Sequence, residues 1–120
     1  MDITLFDTSS TIIAPATASG GAVMVIRISG SRAIEIADMM FRGRRTLADA
    51  EGYTLHYGRI VNEAGNIVDD VVVALFRAPH SYTGDDTVEI TIHGSDYITS
   101  EVIRLAISYG AKMATAGEFT

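Results

Sequence analysis

The sequence predicts an α+β fold, a mixed or antiparallel sheet with two covering helices. Three observations predict it. Two long β-compatible runs, Tyr53 to Val61 and Ile67 to Arg77, flank the five residues Asn62 to Asn66 with a glycine inside, the pattern of a hairpin. Residues 87–93 alternate polar and apolar side chains with period two, and residues 22–28 form an apolar strand interrupted by Arg27 alone. Two further segments, from Ala33 and from Tyr97, repeat apolar residues at steps of three and four, as helices with one buried stripe do.

Taken in order, Thr11 to Thr17 is rich in β-branched residues and reads as a strand entering a turn at Ser19-Gly20-Gly21. Ala22 to Ile28 is the second strand. Ala22, Met24, Ile26 and Ile28 share one face, and Val23, Val25 and Arg27 the other. Ser29-Gly30-Ser31 offers N-cap oxygens to a helix carrying Ala33, Ile34, Ala37, Met40 and Phe41 on one stripe. Arg42, Gly43, Arg44 and Arg45 suit that helix's C-terminus, with cations against the macrodipole and a glycine able to take positive φ. Thr46 to Gly52 reads as a loop before the hairpin. The second arm of the hairpin holds Val71 to Phe76, a continuous apolar run that fits a strand buried on both faces. Ala78 to Asp86, with Pro79 and Gly84, reads as a loop. Val88, Ile90 and Ile92 then give a strand with a polar second face, and Gly94, Ser95 and Asp96 lead into a helix to about Tyr109, with Gly110 at its C′ position.

The 120 residues, 48% hydrophobic and 20% charged, suit one domain spanning 1–120, with enough apolar surface for a core. A net charge of -6 is the wrong sign for a domain that holds nucleic acid mainly by neutralising phosphates. The absence of cysteine removes disulfides, thiolate zinc sites and cysteine nucleophiles. No apolar run reaches the ~20 residues of a membrane span, and Met1 is followed by acidic and polar residues, so the expectation is a soluble, cytoplasmic protein. The end, Gly117-Glu-Phe-Thr120, lacks polar fraying and reads as a cut inside a longer chain.

The phosphate-cradling pattern G-x-x-x-x-G-K-[ST] does not occur, and the one lysine is Lys112. Gly20-Gly21 and Ser29-Gly30-Ser31 read as turn and cap residues, and His56, His80 and His93 do not have the local spacing of a zinc site. Arg42 to Arg45 reads as a solvated cap, with a polyanion contact as the alternative, and Asp69, Asp70, Asp85 and Asp86 read as solvated residues. Arg27 and Glu89 differ. Each interrupts a core-like strand on the face opposite its main apolar row. Two readings stand: an ion pair or two separate surface residues, or a carboxylate and a guanidinium lining a half-apolar pocket for a ligand with a donor edge and an acceptor or carboxylate.

Three separated stretches carry a resemblance: Thr11-Ile-Ile-Ala-Pro-Ala-Thr-Ala-Ser-Gly-Gly-Ala-Val-Met-Val-Ile-Arg-Ile-Ser-Gly30, Pro79-His-Ser-Tyr-Thr-Gly-Asp-Asp-Thr-Val-Glu-Ile-Thr-Ile-His-Gly94 and Gly110-Ala-Lys-Met-Ala-Thr-Ala-Gly-Glu-Phe-Thr120. In this order they resemble the N-terminal domain of the MnmE (TrmE) family of tRNA modification GTPases. The resemblance implies a dimeric domain similar to the tetrahydrofolate-binding domain of glycine-cleavage T-proteins, followed in the family by a helical domain interrupted by a GTPase domain that uses GTP, magnesium and potassium. It implies a one-carbon tetrahydrofolate ligand, the 5-formyl or 5,10-methylene form. It also implies a role, with the FAD-dependent partner MnmG (GidA), in modifying carbon 5 of the wobble uridine of tRNA. The family's folate-contacting arginine and glutamate fall on Arg27 and Glu89, and a third contact, a lysine, would lie after Thr120. The implied domain is non-catalytic by itself, and its rival is a purely structural dimerisation module. Three departures stand out: the Ala18-Ser-Gly-Gly21 turn is one residue shorter than the commoner version, Asp85 replaces a glutamate, and Ser95 stands where a second glycine is usual.

Overall fold

The computed structural model describes residues 10–16, 22–78 and 85–114. The Gly20-Gly21 turn, Pro79 to Gly84 with His80, and Gly117 to Thr120 lie outside these residues.

Strands β1 (Ile12–Pro15) and β2 (Val23–Ser29) lead into helix α1 (Ala33–Met40) and the short strand β3 (Phe41–Gly43). A single turn of 3₁₀-helix at Leu47–Asp49 precedes β4 (Thr54–Val61) and β5 (Ile67–Phe76). Strand β6 (Thr87–His93), helix α2 (Asp96–Ser108) and β7 (Lys112–Met113) follow. The strands form one seven-stranded sheet in the order β3-β4-β5-β6-β2-β1-β7. All neighbours are antiparallel except β1 and β7, which makes the sheet mixed.

One face of the sheet is the core. Ile26 stands opposite Ile90, which stands opposite Val73, and Ile28 pairs with Val88 beside Leu75. These side chains pack with Ala33, Ile36, Ala37 and Met40 of α1 and with Val102, Leu105 and Ala106 of α2 in one buried cluster. Both helices therefore cover the same face, as a sheet with one apolar row per strand requires. Helix α2 starts where Ser95 Oγ accepts from the Ile98 N–H and ends before Gly110, whose φ of 118° needs a residue without Cβ. The hairpin turns through Asn62–Asn66, with Asn62 Oδ1 accepting from the Ala64 and Asn66 N–H groups and Gly65 at φ 86°.

Four expectations change. Neither Ser29 nor Ser31 caps α1: Arg32 occupies the N-cap position without a side-chain bond, because Ser29 is the last residue of β2 and its hydroxyl lies 3.3 Å from that of Thr87. Arg42 to Arg45 do not form the end of that helix. The chain becomes extended at Phe41, Arg42 and Gly43 pair with Arg59 and Gly58 of β4, and Gly43 is not among the positive-φ residues. The Phe41 ring lies against Gly43 and Gly58, leaving no room for a Cβ at either, and this packing fixes β3 in place. Arg42 still serves the helix end, donating to the Met39 carbonyl at 3.2 Å. Residues 71–76 are buried on one face only: Val71, Val73 and Leu75 lie in the core, while Val72, Ala74 and Phe76 are half-buried, because no element among the described residues covers the second face. Asp69 is not solvated; it is buried, on the inward parity of Val71, Val73 and Leu75.

Candidate functional site

The face of the sheet away from the helices carries the polar groups. Residues on that face alternate with the core row, so Arg27 on β2 and Glu89 on β6, flanked by Ile26, Ile28, Val88 and Ile90, both point outward. The register then sets them directly opposite each other. Arg27 Nε donates to Glu89 Oε2 at 2.9 Å, and Nη2 lies 2.7 Å from the same oxygen. Their side chains keep 23% and 26% of their exposure, so the pair sits at the surface of the sheet without being lost to bulk water.

The surroundings are small and apolar. Ala14 of β1 flanks Arg27 and Ala74 of β5 flanks Glu89, with Leu55 of β4 next in the row. One row along, Val25, Thr91, Val72 and Tyr57 stand side by side; in the other direction Ser29 and Thr87 share their hydroxyl contact. The result is a flat apolar shelf with one ion pair at its centre. A carboxylate has about four lone-pair positions, so Glu89 can hold Arg27 and still accept from a planar donor edge.

Residues 11–120 match the family model described as GTP-binding protein TrmE N-terminus. The chain belongs to this family. Among curated relatives it is 50% identical over 113 residues to the tRNA modification GTPase MnmE of Bacteroides thetaiotaomicron, covering 92% of this chain and 24% of that protein. It is equally close to MnmE of Bacteroides fragilis over the same extents. With MnmE of Bacillus velezensis the identity is 42% over 114 residues, 92% of this chain and 25% of the relative. The chain thus spans about a quarter of the length of the MnmE proteins it matches.

Elsewhere on this TrmE N-terminus domain, the described residues contain no group of three or more His, Asp or Glu placed to hold a metal ion, and no helix long and apolar enough to cross a membrane. Sequence reasoning missed one polar constellation. Asp69 Oδ2 accepts from the His93 backbone N–H at 2.8 Å, and Oδ1 lies 2.7 Å from His93 Nδ1. The carboxylate side chain is only 8% exposed and the imidazole 68%. The signal was present in the alternation: Asp69 shares its parity with Val71, Val73 and Leu75, so an inward carboxylate that needs a partner follows once that row is inward. Beside His93, an open hollow of about 240 Å³ lies on the same sheet face as Arg27 and Glu89, one row away and without touching either.

The strongest electrostatic perturbation lies on a different surface. Arg104 of α2 donates to both oxygens of Glu63, at 2.9 Å each, and to Glu101 at 2.7 and 3.0 Å. The guanidinium holds the Glu63 carboxyl down to about 2, lowers that of Glu101, and is itself raised by the two carboxylates. This exposed network ties α2 to the hairpin turn.

Proposed function

We propose that this chain is the one-carbon tetrahydrofolate-binding and homodimerisation domain, over residues 1–120, of a cytoplasmic tRNA modification GTPase. The observation that carries this reading is the Arg27–Glu89 pair, set by strand register at the centre of an apolar sheet face. A reduced pterin is flat, places an N–H beside an amino group, and has acceptor atoms elsewhere on its rim. Glu89 takes the donor edge and Arg27 the acceptor side or a ligand carboxylate, while Ala14, Ala74 and the Val25–Thr91–Val72 row give the ring an apolar floor. The side chains present fit such a ligand in both charge and shape. When bound, the folate supplies the one-carbon unit; the domain binds and orients it and excludes water from its face.

The MnmE relatives are named tRNA modification GTPases, and this extends the proposal to the whole protein. With GTP, magnesium and potassium at a GTPase domain and the FAD-dependent partner MnmG (GidA), it modifies carbon 5 of the wobble uridine of tRNA. The domain works as a two-fold homodimer, similar in fold to the folate domain of glycine-cleavage T-proteins. Small domains gain stability from a shared core, and this sheet has a face that no helix covers among the described residues.

The test is titration calorimetry of the full-length protein with 5-formyltetrahydrofolate. Saturable binding that weakens in Glu89→Gln supports the reading. Binding that is absent in the parent, or unchanged in the variant, overturns it and returns the pair to a structural role. Light scattering at micromolar concentration is expected to give twice the chain mass, and a strictly monomeric mass contradicts the assembly. The 120 residues alone are expected to show no GTP turnover above a buffer control.

A further inference from the structure

Ion pairing in this chain leaves one region out. Nine Lys and Arg stand against fifteen Asp and Glu, so carboxylates are in surplus. Among the described residues Arg27, Arg32, Arg59 and Arg104 each hold a carboxylate, and Arg77 donates to the carbonyls of Leu47, Ala48 and Ala50. Arg42 reaches only the Met39 and Phe41 carbonyls, and the side chains of Arg44 and Arg45 have no ion-pair or hydrogen-bond partner among those residues. All three are exposed. Three guanidiniums within four residues thus stay together without a counter-charge, in a chain whose net charge is -6.

They lie at the border of the sheet. β3 is its terminal strand, and Arg42 stands directly opposite Arg59 of β4. Like charges facing each other across a strand pair are destabilising, and Asp70 answers Arg59 alone, at 3.3 Å. Gly43 pairs with Gly58 and lies so close to β4 that a Cβ would meet the Tyr57 carbonyl at 2.8 Å, so the chain carries Arg44 off the edge at the level of Tyr57. The Tyr57 side chain shares the outward face of β4 with Arg59, and the residue is 78% exposed. Charged residues commonly guard a sheet edge against pairing with another chain. Arg42 suffices for that on a three-residue strand, whereas Arg44 and Arg45 come after β3 has ended.

An exposed tyrosine rimmed by arginines is the composition of a protein interface, where these two residue types are enriched and carry much of the binding energy. A guanidinium matches a carboxylate with two parallel N–H···O bonds. A nucleic-acid backbone suits this edge less well. Asp70 stands next to Arg59 in the row, and exposed Asp49 and Glu51 follow Arg45 in the same connection, so an evenly charged phosphate chain meets repulsion that a few placed carboxylates avoid. We propose that the β3 edge, with Arg42, Arg44 and Arg45 as its charges and Tyr57 as its apolar contact, docks an acidic protein segment carrying an aromatic residue among its carboxylates. This surface is separate from the Arg27–Glu89 pair, which lies beyond β5 on β2 and β6, and it does not rest on the ligand reading above.

Fluorescence anisotropy on the full-length protein tests it with labelled probes of equal length at physiological salt: a glutamate-rich peptide with one central phenylalanine, its glutamine counterpart, and a single-stranded oligouridylate. The parent is expected to bind the acidic peptide about tenfold more tightly than the glutamine peptide, the size of one charge-assisted contact. Arg44→Ala combined with Arg45→Ala is expected to erase that preference, with the urea midpoint and the oligouridylate affinity at their parent values. Tyr57→Ser is expected to weaken the acidic peptide by a smaller factor. Equal affinity of the parent for the two peptides, a preference that survives the double variant, or an acidic-peptide affinity untouched by Tyr57→Ser overturns the docking surface. An oligouridylate affinity that falls in the double variant as far as the peptide affinity also overturns it and assigns the edge to nucleic acid.

Discussion

Ile26 and Ile90 meet across β2 and β6 on one face of the sheet; Arg27 and Glu89, their sequence neighbours, meet on the other. The two isoleucines are fully buried beneath both helices, whereas the ion pair keeps about a quarter of its exposure. The backbone geometry of the two pairs is the same, and only the covering differs. Under the helices, a side chain is chosen by volume and apolarity, because its neighbours close around it. On the open face, packing does not dictate the residue, and the proposed function assigns the guanidinium and carboxylate set opposite each other there to ligand binding.

The covered face is expected to give the largest loss of stability. Ile90→Ala removes a side chain packed between Ile26 and Val73, and should cost about 2–5 kcal/mol of unfolding free energy in urea titrations. A loss below about 1 kcal/mol would mean that the helix-covered side is not the principal core. The cap of the covering helix comes next. Ser95→Ala leaves the Ile98 N–H without its 3.3 Å acceptor and should lower stability by about 1 kcal/mol, read from the same titrations. Leu55, on the open face and 67% exposed, supplies the contrast. Leu55→Ser should stay within about 0.5 kcal/mol of the parent in the dissociated chain, and a loss of the size expected at Ile90 would show that this face is packed after all.

The smallest effect is electrostatic and lies at the helix-to-hairpin link. The Glu63 carboxyl is held down to about 2 from an ordinary value of 4.5, chiefly by its hydrogen bonds from Arg104. A lowered carboxyl favours the folded state above the ordinary value, and that contribution fades as pH falls from about 4.5 through about 2. Both partners are exposed, so solvent screens the gain to a small one. Arg104→Ala should therefore make the fall in urea midpoint across this window shallower, and an unchanged slope would show that Glu63 is not coupled to folding.

Much of this contrast was legible in the sequence, and the reasons are local. The two-residue period of a strand assigned each side chain in residues 22–28 and 87–93 to a face, which put Arg27 and Glu89 together on the outward side of their strands. The hairpin around Asn62–Asn66 and the Ser95 to Gly110 helix were equally readable, because turn and cap chemistry is carried by residues next to each other in the chain. What was not legible depended on distant contacts. Phe41 leaves its helix because Gly58 and Gly43 make a place for its ring in β3, and the cationic run after it reads as a helix end without that knowledge. The parallel pairing of Lys112–Met113 with β1 joins segments a hundred residues apart and has no local signature. Asp69 was misplaced for a related reason: an apolar run at 71–76 looks buried on both faces until the uncovered side is seen, and only then does the carboxylate's inward parity matter.

The measurement that bears most directly on the contrast between the faces is a paired one on Glu89→Gln. The variant keeps the size of the side chain but presents a donor where a ligand's donor edge must be accepted. The expected result is an unfolding free energy within about 1 kcal/mol of the parent, since the pair is partly exposed, together with a loss of about 2 kcal/mol or more, roughly thirtyfold, in affinity for 5-formyltetrahydrofolate by calorimetry. Parent-like binding, or a loss of stability as large as that of Ile90→Ala, would contradict the assignment of this face to ligand recognition.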